Sequence, residues 1–265
     1  MKNNLANLLA DIVNGKSPAV LLLFGDDLQV QSAGDAIVRL LVPDDQRAFN
    51  FERFDGRSVS WDQIEGSLMT PPFLPGKKVV WVENTPYFFS RENKSELGEK
   101  VLQFWSDGKK DEAGKLLLDL LLLEGWTAER WQQLEPNGSL EPIAELFEAD
   151  DRGARDAIHA LVAHSKSIGL ELAKRRGSEG HGLLELLDRG VPPWDFLILT
   201  AVQVDRRTRI YKKFEEMGAV MQLDLERERS GKVSRHSLRE FIDQEFKASG
   251  KQIDPAAREL ILLRA

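Results

Sequence analysis

The sequence has 265 residues, of which 42% are hydrophobic and 30% charged. This length and composition predict a folded protein with a sizeable core and exclude a chain that is mainly disordered. The absence of cysteine excludes disulfides, a cysteine nucleophile and thiolate metal sites, and favours a cytoplasmic location. A formal net charge of −7 argues against a free-standing DNA-binding protein. The richest apolar run, 116–123, is far shorter than the roughly 20 residues of a membrane span.

Five short apolar segments carry the pattern of β-strands. The predicted strands are 19–24, 49–54, 78–82, 195–201 and 219–223. The near-continuous apolar runs among them are typical of strands buried on both faces of a sheet. Asp27 is the predicted cap of a helix after the first strand, and another helix is predicted from Arg206 to Glu216. Strands that alternate with helices predict a parallel sheet with helices on both of its faces.

Two stretches show only helical patterns. One lies between the third and fourth strands, from Glu92 to about Gly190, and the other follows Leu223. The last apolar residues before Ala265 have no later element to pack against. We therefore expect the chain to be cut inside a small helical domain.

The turn after the first strand is where a doubly wound sheet would bind nucleotide phosphates. Here it reads Gly25, Asp26 and Asp27, with neither the second glycine nor the lysine of a phosphate-binding loop. Two aspartates would repel a triphosphate. Glu83, at the end of the third strand, stands where many nucleoside triphosphatases place a magnesium-linked carboxylate, but without a phosphate loop we interpret it as a solvated acid. ATP hydrolysis is therefore not expected.

Other catalytic or metal-binding patterns are weak. His159 and His164 are five residues apart, which places them on different faces of a helix, and His181 and His236 stand alone in the sequence. No nucleophile-elbow or paired-histidine zinc motif occurs. We expect no catalytic residue, no metal and no cofactor.

The segment 69–76 joins a predicted helix to the third strand. Three prolines stiffen it, and Pro72, Phe73 and Leu74 place large apolar side chains in its middle. A stiff loop with exposed apolar side chains suits a partner's pocket, because little entropy is lost on docking. Packing into the protein's own core is the alternative.

A second local feature is a basic segment. It contains Arg206, Arg207, Arg209, Lys212 and Lys213 and a single acid, Asp205. Such a segment indicates either a solvated helix face or a contact with DNA or another protein subunit.

Together these features resemble the delta subunit of the bacterial DNA polymerase III clamp loader. The resemblance is carried by residues 21–27, 51–56, 70–84, 204–213 and 251–257, in that order along the chain. It covers about 1–105 and 190–265. It leaves about 106–189 as a helical insertion.

The resemblance implies a RecA-like, AAA+-type five-stranded α/β domain over 1–223 and part of a helical lid over 224–265, with the C-terminal collar absent. It implies a subunit that hydrolyses no ATP itself, binds the ring-shaped sliding clamp and holds one ring interface open. Phe73 and Leu74 would enter an apolar pocket of the clamp; the family often has a larger aliphatic residue at the position of Pro72. The implied partners are the clamp, the other loader subunits and, through the assembled complex, primer–template DNA, with no membrane.

Two other functions remain open at this point. One is an active AAA+ or P-loop-like ATPase. The other is a small-molecule α/β enzyme that uses the crevice at the strand ends, near Gly25 and Glu83.

Overall fold

The structure is a computed structural model that describes residues 5–89, 94–135, 138, 140–147, 152–172, 179–226, 233–248 and 250–264. Within these residues, five strands form one sheet: β1 Val20–Gly25, β2 Phe51–Asp55, β3 Lys78–Glu83, β4 Asp195–Ala201 and β5 Val220–Leu223. Their order across the sheet is β2-β3-β4-β1-β5, and every neighbouring pair is parallel. The predicted fold class is confirmed, with strand ends displaced by no more than two residues.

Helices cover both faces of the sheet. The helices next to the sheet in sequence are α1 Leu5–Val13, α2 Asp27–Leu41, α3 Arg47–Asn50, α4 Trp61–Met69, α10 Glu179–Arg189 and α11 Arg209–Glu216. The side chains of β1 alternate, so that Leu21 and Leu23 pack with α1 and α2, whereas Leu22 and Phe24 pack with α4, α10 and α11. Both faces are therefore apolar, as the continuous runs in the sequence predicted.

Close packing of α2 against the sheet depends on Gly34. A Cβ atom at this position would lie 2.3 Å from the ring of Trp81, which is fully buried in β3. The glycine thus lets a large aromatic ring of the sheet fit directly beneath the helix.

A second group of helices forms its own core between β3 and β4. These are α5 Lys94–Ser106, α6 Lys110–Leu123, α7 Ala128–Gln133, α8 Glu141–Ala144 and α9 Arg152–Ser167. Short 3₁₀ turns occupy Pro86–Phe88 and Glu145–Phe147, and another, Asp44–Gln46, precedes α3. The leucines of α6 lie at the centre of this core. We call α5 to α9 the helical unit; most of it lies in the predicted insertion 106–189.

Two helices, α12 Arg235–Ala248 and α13 Pro255–Arg264, follow the sheet. They share a small core that includes Leu238, Ile242 and Leu262. Asp254 accepts hydrogen bonds from the backbone N–H groups of Ala256 and Ala257, so it caps α13 ahead of its first-turn proline, as predicted. The boundary at 224 between an α/β domain and a lid stays a prediction.

Candidate functional site

The stiff loop predicted for docking lies at the edge of the sheet where β2 and β3 begin. α4 ends at Met69 and β3 starts at Lys78, and we call residues 70–77 the docking loop. Phe73 is 78% exposed, while Pro72 and Leu74 are partly exposed. The alternative that Phe73 packs into the protein's own core is wrong, because its ring lies on the surface. The roles of these three residues in clamp binding stay predictions.

A buried amide holds the middle of the docking loop. Asn50, at the end of α3, is fully buried. The backbone N–H of Leu74 donates to Asn50 Oδ1 (3.2 Å), and Asn50 Nδ2 donates to the carbonyl of Leu74 (3.0 Å). Both backbone groups of the loop residue next to Phe73 are therefore satisfied by one side chain, which fixes the loop before any partner binds.

A buried lysine holds the helix that leads into the loop. The ammonium group of Lys78 forms an ion pair with Glu52 (2.7 Å) and donates to the carbonyls of Ser67 (2.7 Å) and Thr70 (3.4 Å). These carbonyls belong to the C-terminal turn of α4, where a cation is favourable. The docking loop is thus anchored at its start by Lys78 and in its middle by Asn50.

A second carboxyl group, Asp195, lies beside this anchor. It is fully buried at the start of β4, directly opposite Lys78 in the strand register. Burial raises the pKa of Asp195 to about 7, although Lys78 acts in the opposite direction. The folded protein therefore binds a proton at Asp195 that the unfolded chain, with an Asp pKa near 3.9, releases between about pH 4 and 7.

This proton linkage predicts a pH dependence of stability. The contribution of Asp195 falls as pH rises from about 4 to 7 and is level above that. The Asp195→Asn variant, which cannot ionise, should gain stability over the parent as pH rises from 5 to 8, by on the order of 2 kcal/mol. Chemical denaturation of both proteins across this range measures the difference. A difference that does not change with pH would contradict the prediction.

A residue outside the predicted site also reaches the docking loop. The sequence predicted Phe49 as part of the second strand, but the strand starts at Phe51 and Phe49 lies on α3, 53% exposed. Its ring stacks on that of Phe73, with centroids 5.3 Å apart and planes inclined by 26°. The alternating pattern of 49–54 predicted a strand and gave no indication of this contact. Phe49 and Phe73 are 24 positions apart, so only the tertiary fold brings their rings together.

The candidate nucleotide turn lies at the opposite edge, where the strands end. Gly25 has φ 129°, and a Cβ atom there would lie 2.0 Å from the carbonyl oxygen of Leu223. Asp26, rather than the predicted Asp27, caps α2: its carboxylate accepts from the N–H groups of Leu28 (3.1 Å) and Gln29 (3.4 Å). The groups that would bind a phosphate at a helix N-terminus are thus bonded to the protein's own carboxylate.

Glu83 differs from the solvated acid that the sequence predicted. It forms two hydrogen bonds with the guanidinium of Arg53, at 2.6 and 2.7 Å, and accepts another from Gln31 at 2.6 Å. Burial raises the pKa of Glu83, but the bonds from Arg53 and Gln31 outweigh this effect and lower it overall. Arg53 also lies over the ring of Trp81 at 4.4 Å. Glu83 is therefore a paired, partly buried carboxylate.

The helical unit covers this same edge of the sheet. Arg57, just after β2, forms an ion pair with Asp119 of α6 at 2.7 Å, and both groups are largely buried. Lys109 pairs with Asp27 at 3.1 Å. Two further bonds lead from α5 to the chain after β4: Lys100 to the carbonyl of Val202 and Gln203 to Glu96. Contacts after β2, β1 and β4 thus join the helical unit to the edge of the sheet where the strands end, which is the edge at which doubly wound proteins bind ligands.

The basic segment is largely paired within the protein. Arg206 donates to Gln222 at 2.5 Å, Arg207 makes two 2.9 Å bonds to Asp205, and Lys213 pairs with Asp188 at 2.7 Å. The hydrogen bond and charge of Lys213 lower the pKa of Asp188.

The predicted helix start at Arg206 is wrong: α11 begins at Arg209, because Thr208 caps it. Arg209 and Lys212 are exposed. A DNA or subunit contact through this segment stays a prediction.

Two further searches cover only the described part of the chain. There, no group of three or more histidine, aspartate or glutamate side chains could hold a metal ion. None of the described helices is long and apolar enough to cross a membrane.

The sheet with helices on both of its faces defines an α/β protein, and the loop between α4 and β3 presents an exposed aromatic side chain, Phe73. Residues 21–105 match the family model described as DNA polymerase III, delta subunit. This match confirms the predicted resemblance over about a third of the chain, from β1 through the docking loop to α5.

Curated proteins and solved structures provide two further comparisons. No curated protein matches the chain. Among solved structures, it is similar to the Bacillus subtilis DNA clamp loader delta protein YqeN, with 15% sequence identity and a TM-score of 0.49. The match covers 97% of this chain and 52% of that one, so the chain spans about half the length of the solved relative.

Proposed function

We propose that this chain is a clamp-loader delta subunit that binds the sliding clamp through the docking loop and holds the ring open for loading onto primed DNA. The observation that carries the proposal is the presentation of Phe73. Its ring is 78% exposed on a loop whose backbone is held by the buried Asn50. A large aromatic side chain on a pre-ordered loop is the kind of residue that dominates the binding energy of an interface.

Ring opening in this proposal comes from differential binding. A docking surface that binds the open clamp more tightly than the closed one shifts the ring equilibrium by that ratio of affinities. Moving the ring from 1% to 99% open requires a ratio of about 10⁴. No covalent bond is made or broken. The docking loop needs only to be stiff enough to bind the open clamp more tightly than the closed clamp.

The strand-end edge supports a role without ATP hydrolysis by this chain. Asp26 is bonded to the first N–H groups of α2, and Asp27 and Asp224 add negative charge near the same turn. The Arg57–Asp119 pair joins the helical unit to the same edge of the sheet. These features support neither the ATPase nor the small-molecule enzyme. In this proposal, ATP hydrolysis by other subunits of the loader releases the clamp.

The remaining partners follow from the same proposal. The chain would act in the cytoplasm as one subunit of a hetero-oligomeric loader. Primer–template DNA would be held mainly by the assembled complex, since most of the basic segment is already paired within the protein.

Titration of the full chain with purified sliding clamp from the same organism tests this function. Isothermal titration calorimetry should show saturable binding that needs no nucleotide. A parallel titration with ATP and Mg²⁺ should give no heat of binding. Absence of clamp binding would overturn the proposal, and ATP binding at the Gly25 turn would favour the ATPase instead.

A further inference from the structure

Phe49 and Phe73 form a continuous aromatic surface from two separate segments. Their rings stack 5.3 Å apart and remain 53% and 78% exposed, respectively. Single exposed apolar residues are common on proteins, whereas adjacent large ones indicate a binding surface. The pair lies at the edge of the sheet opposite to the Gly25 turn, since α3 and the docking loop precede β2 and β3.

One buried side chain sets the position of both rings. Asn50 follows Phe49 directly and bonds to both backbone groups of Leu74, which follows Phe73 directly. Asn50 also donates to Gln46 at 3.4 Å, so the turn before α3 is part of the same network. The two rings are therefore held together before a partner arrives, and docking them costs less entropy than docking two free side chains.

Polar groups flank the aromatic pair. Asp44 and Arg47, on the turn that leads to Phe49, form an ion pair at 2.7 Å, and Lys77 at the end of the docking loop is exposed. An apolar centre with a charged rim is the usual layout of a protein–protein contact. This surface is continuous with the loop proposed above to bind the clamp, which argues for the same occupant.

We propose that Phe49 is a second clamp-contacting residue, and that Phe49 and Phe73 enter the clamp as one stacked unit. The inference rests on the proposed function. The clamp pocket it requires is apolar and wide enough for two stacked rings, rather than a slot for one side chain. Neither the resemblance nor the sequence pattern singled out Phe49.

A double-mutant cycle tests the energetic part of the inference. Phe49→Ala should raise the Kd for the clamp about tenfold. Because each ring supports the other, the Phe49→Ala/Phe73→Ala double variant should raise Kd by less than the product of the two single effects. Leu28→Ala is the matched control: Leu28 is 57% exposed and lies at the opposite edge of the sheet, on α2. Its Kd should equal that of the parent.

A footprint tests direct contact, using the absence of cysteine in the chain. A Phe49→Cys variant carries a single thiol, and saturating clamp should slow its alkylation by a maleimide several-fold. A Leu28→Cys variant should react at the same rate with and without clamp. Thermal unfolding of each variant shows that it is folded.

The outcomes separate the two proposals. If the parent does not bind the clamp, the proposed function fails. If the parent binds and Phe73→Ala weakens binding while Phe49→Ala does not, or if the thiol at position 49 stays unprotected, the inference about Phe49 fails and the proposed function stands. Equal weakening by Leu28→Ala also overturns the inference.

Discussion

Replacing Arg57 by alanine is expected to lower the free energy of unfolding by about 3–5 kcal/mol at pH 8, because it leaves the buried carboxyl group of Asp119 without its partner inside the helical unit. The Arg57 Nε to Asp119 Oδ2 distance is 2.7 Å, and the Asp119 side chain is only 4% exposed. Burial raises the pKa of Asp119 to about 6, even with Arg57 lowering it. The loss should therefore be smaller at pH 5, where a proton neutralises the carboxyl group without help from the arginine. Urea denaturation at the two pH values measures both effects.

The control for this prediction is a double replacement. Arg57→Met with Asp119→Leu removes both charges and keeps apolar volume, so its stability should be close to that of the parent or higher. A single Arg57→Ala variant that loses less than about 1 kcal/mol at pH 8 would show that the pair is solvated, in the range of exposed ion pairs.

The same pair marks how far the sequence could predict the fold. Continuous apolar runs identified β1, β3 and β4, whose residues are almost all buried, and shorter or alternating patterns identified β2 and β5, because burial of a strand leaves a local signal in the chain. Asp119 was visible only as one charge within a leucine-rich run, and its partner lies 62 positions away. A local sequence pattern shows which face of a helix or strand is buried. It does not show which distant residue forms an ion pair with a buried charge, because that depends on the tertiary arrangement.

The candidate site shows the same division. Prolines and large apolar residues in 69–76 predicted a stiff loop, because these are local properties of the segment, but the pattern left docking to a partner and packing into the core both open. Asn50 and Phe49 were missed, since their bonds and stacking join α3 to a loop 24 residues away. The cap of α2 was misplaced by one residue because Asp26 and Asp27 are chemically equivalent, and only the backbone direction decides which carboxylate faces the N–H groups.

Phe73→Ala is expected to raise the Kd for the sliding clamp at least about 30-fold, which corresponds to roughly 2 kcal/mol or more. The ring contributes little to the protein's own core, since the residue is 78% exposed, so the variant should unfold close to the parent's temperature, lowered only by the loss of the stacking on Phe49. The effect should lie mainly in the dissociation rate, because a rigid loop reaches the clamp equally often with or without the ring. Surface plasmon resonance with immobilised clamp measures both rates.

Leu74→Ala provides the graded comparison. Its side chain is partly buried, and its backbone stays bonded to Asn50 whatever the side chain is, so its effect on Kd should be smaller than that of Phe73→Ala. Ile168→Ala removes an exposed apolar side chain directly after α9 and should leave binding unchanged. If Leu74→Ala weakens binding more than Phe73→Ala, the loop must rearrange on docking. The loop geometry of the free protein would then differ from that in the complex, because Phe73, the most exposed side chain of the free loop, would not be the one that contributes most to binding.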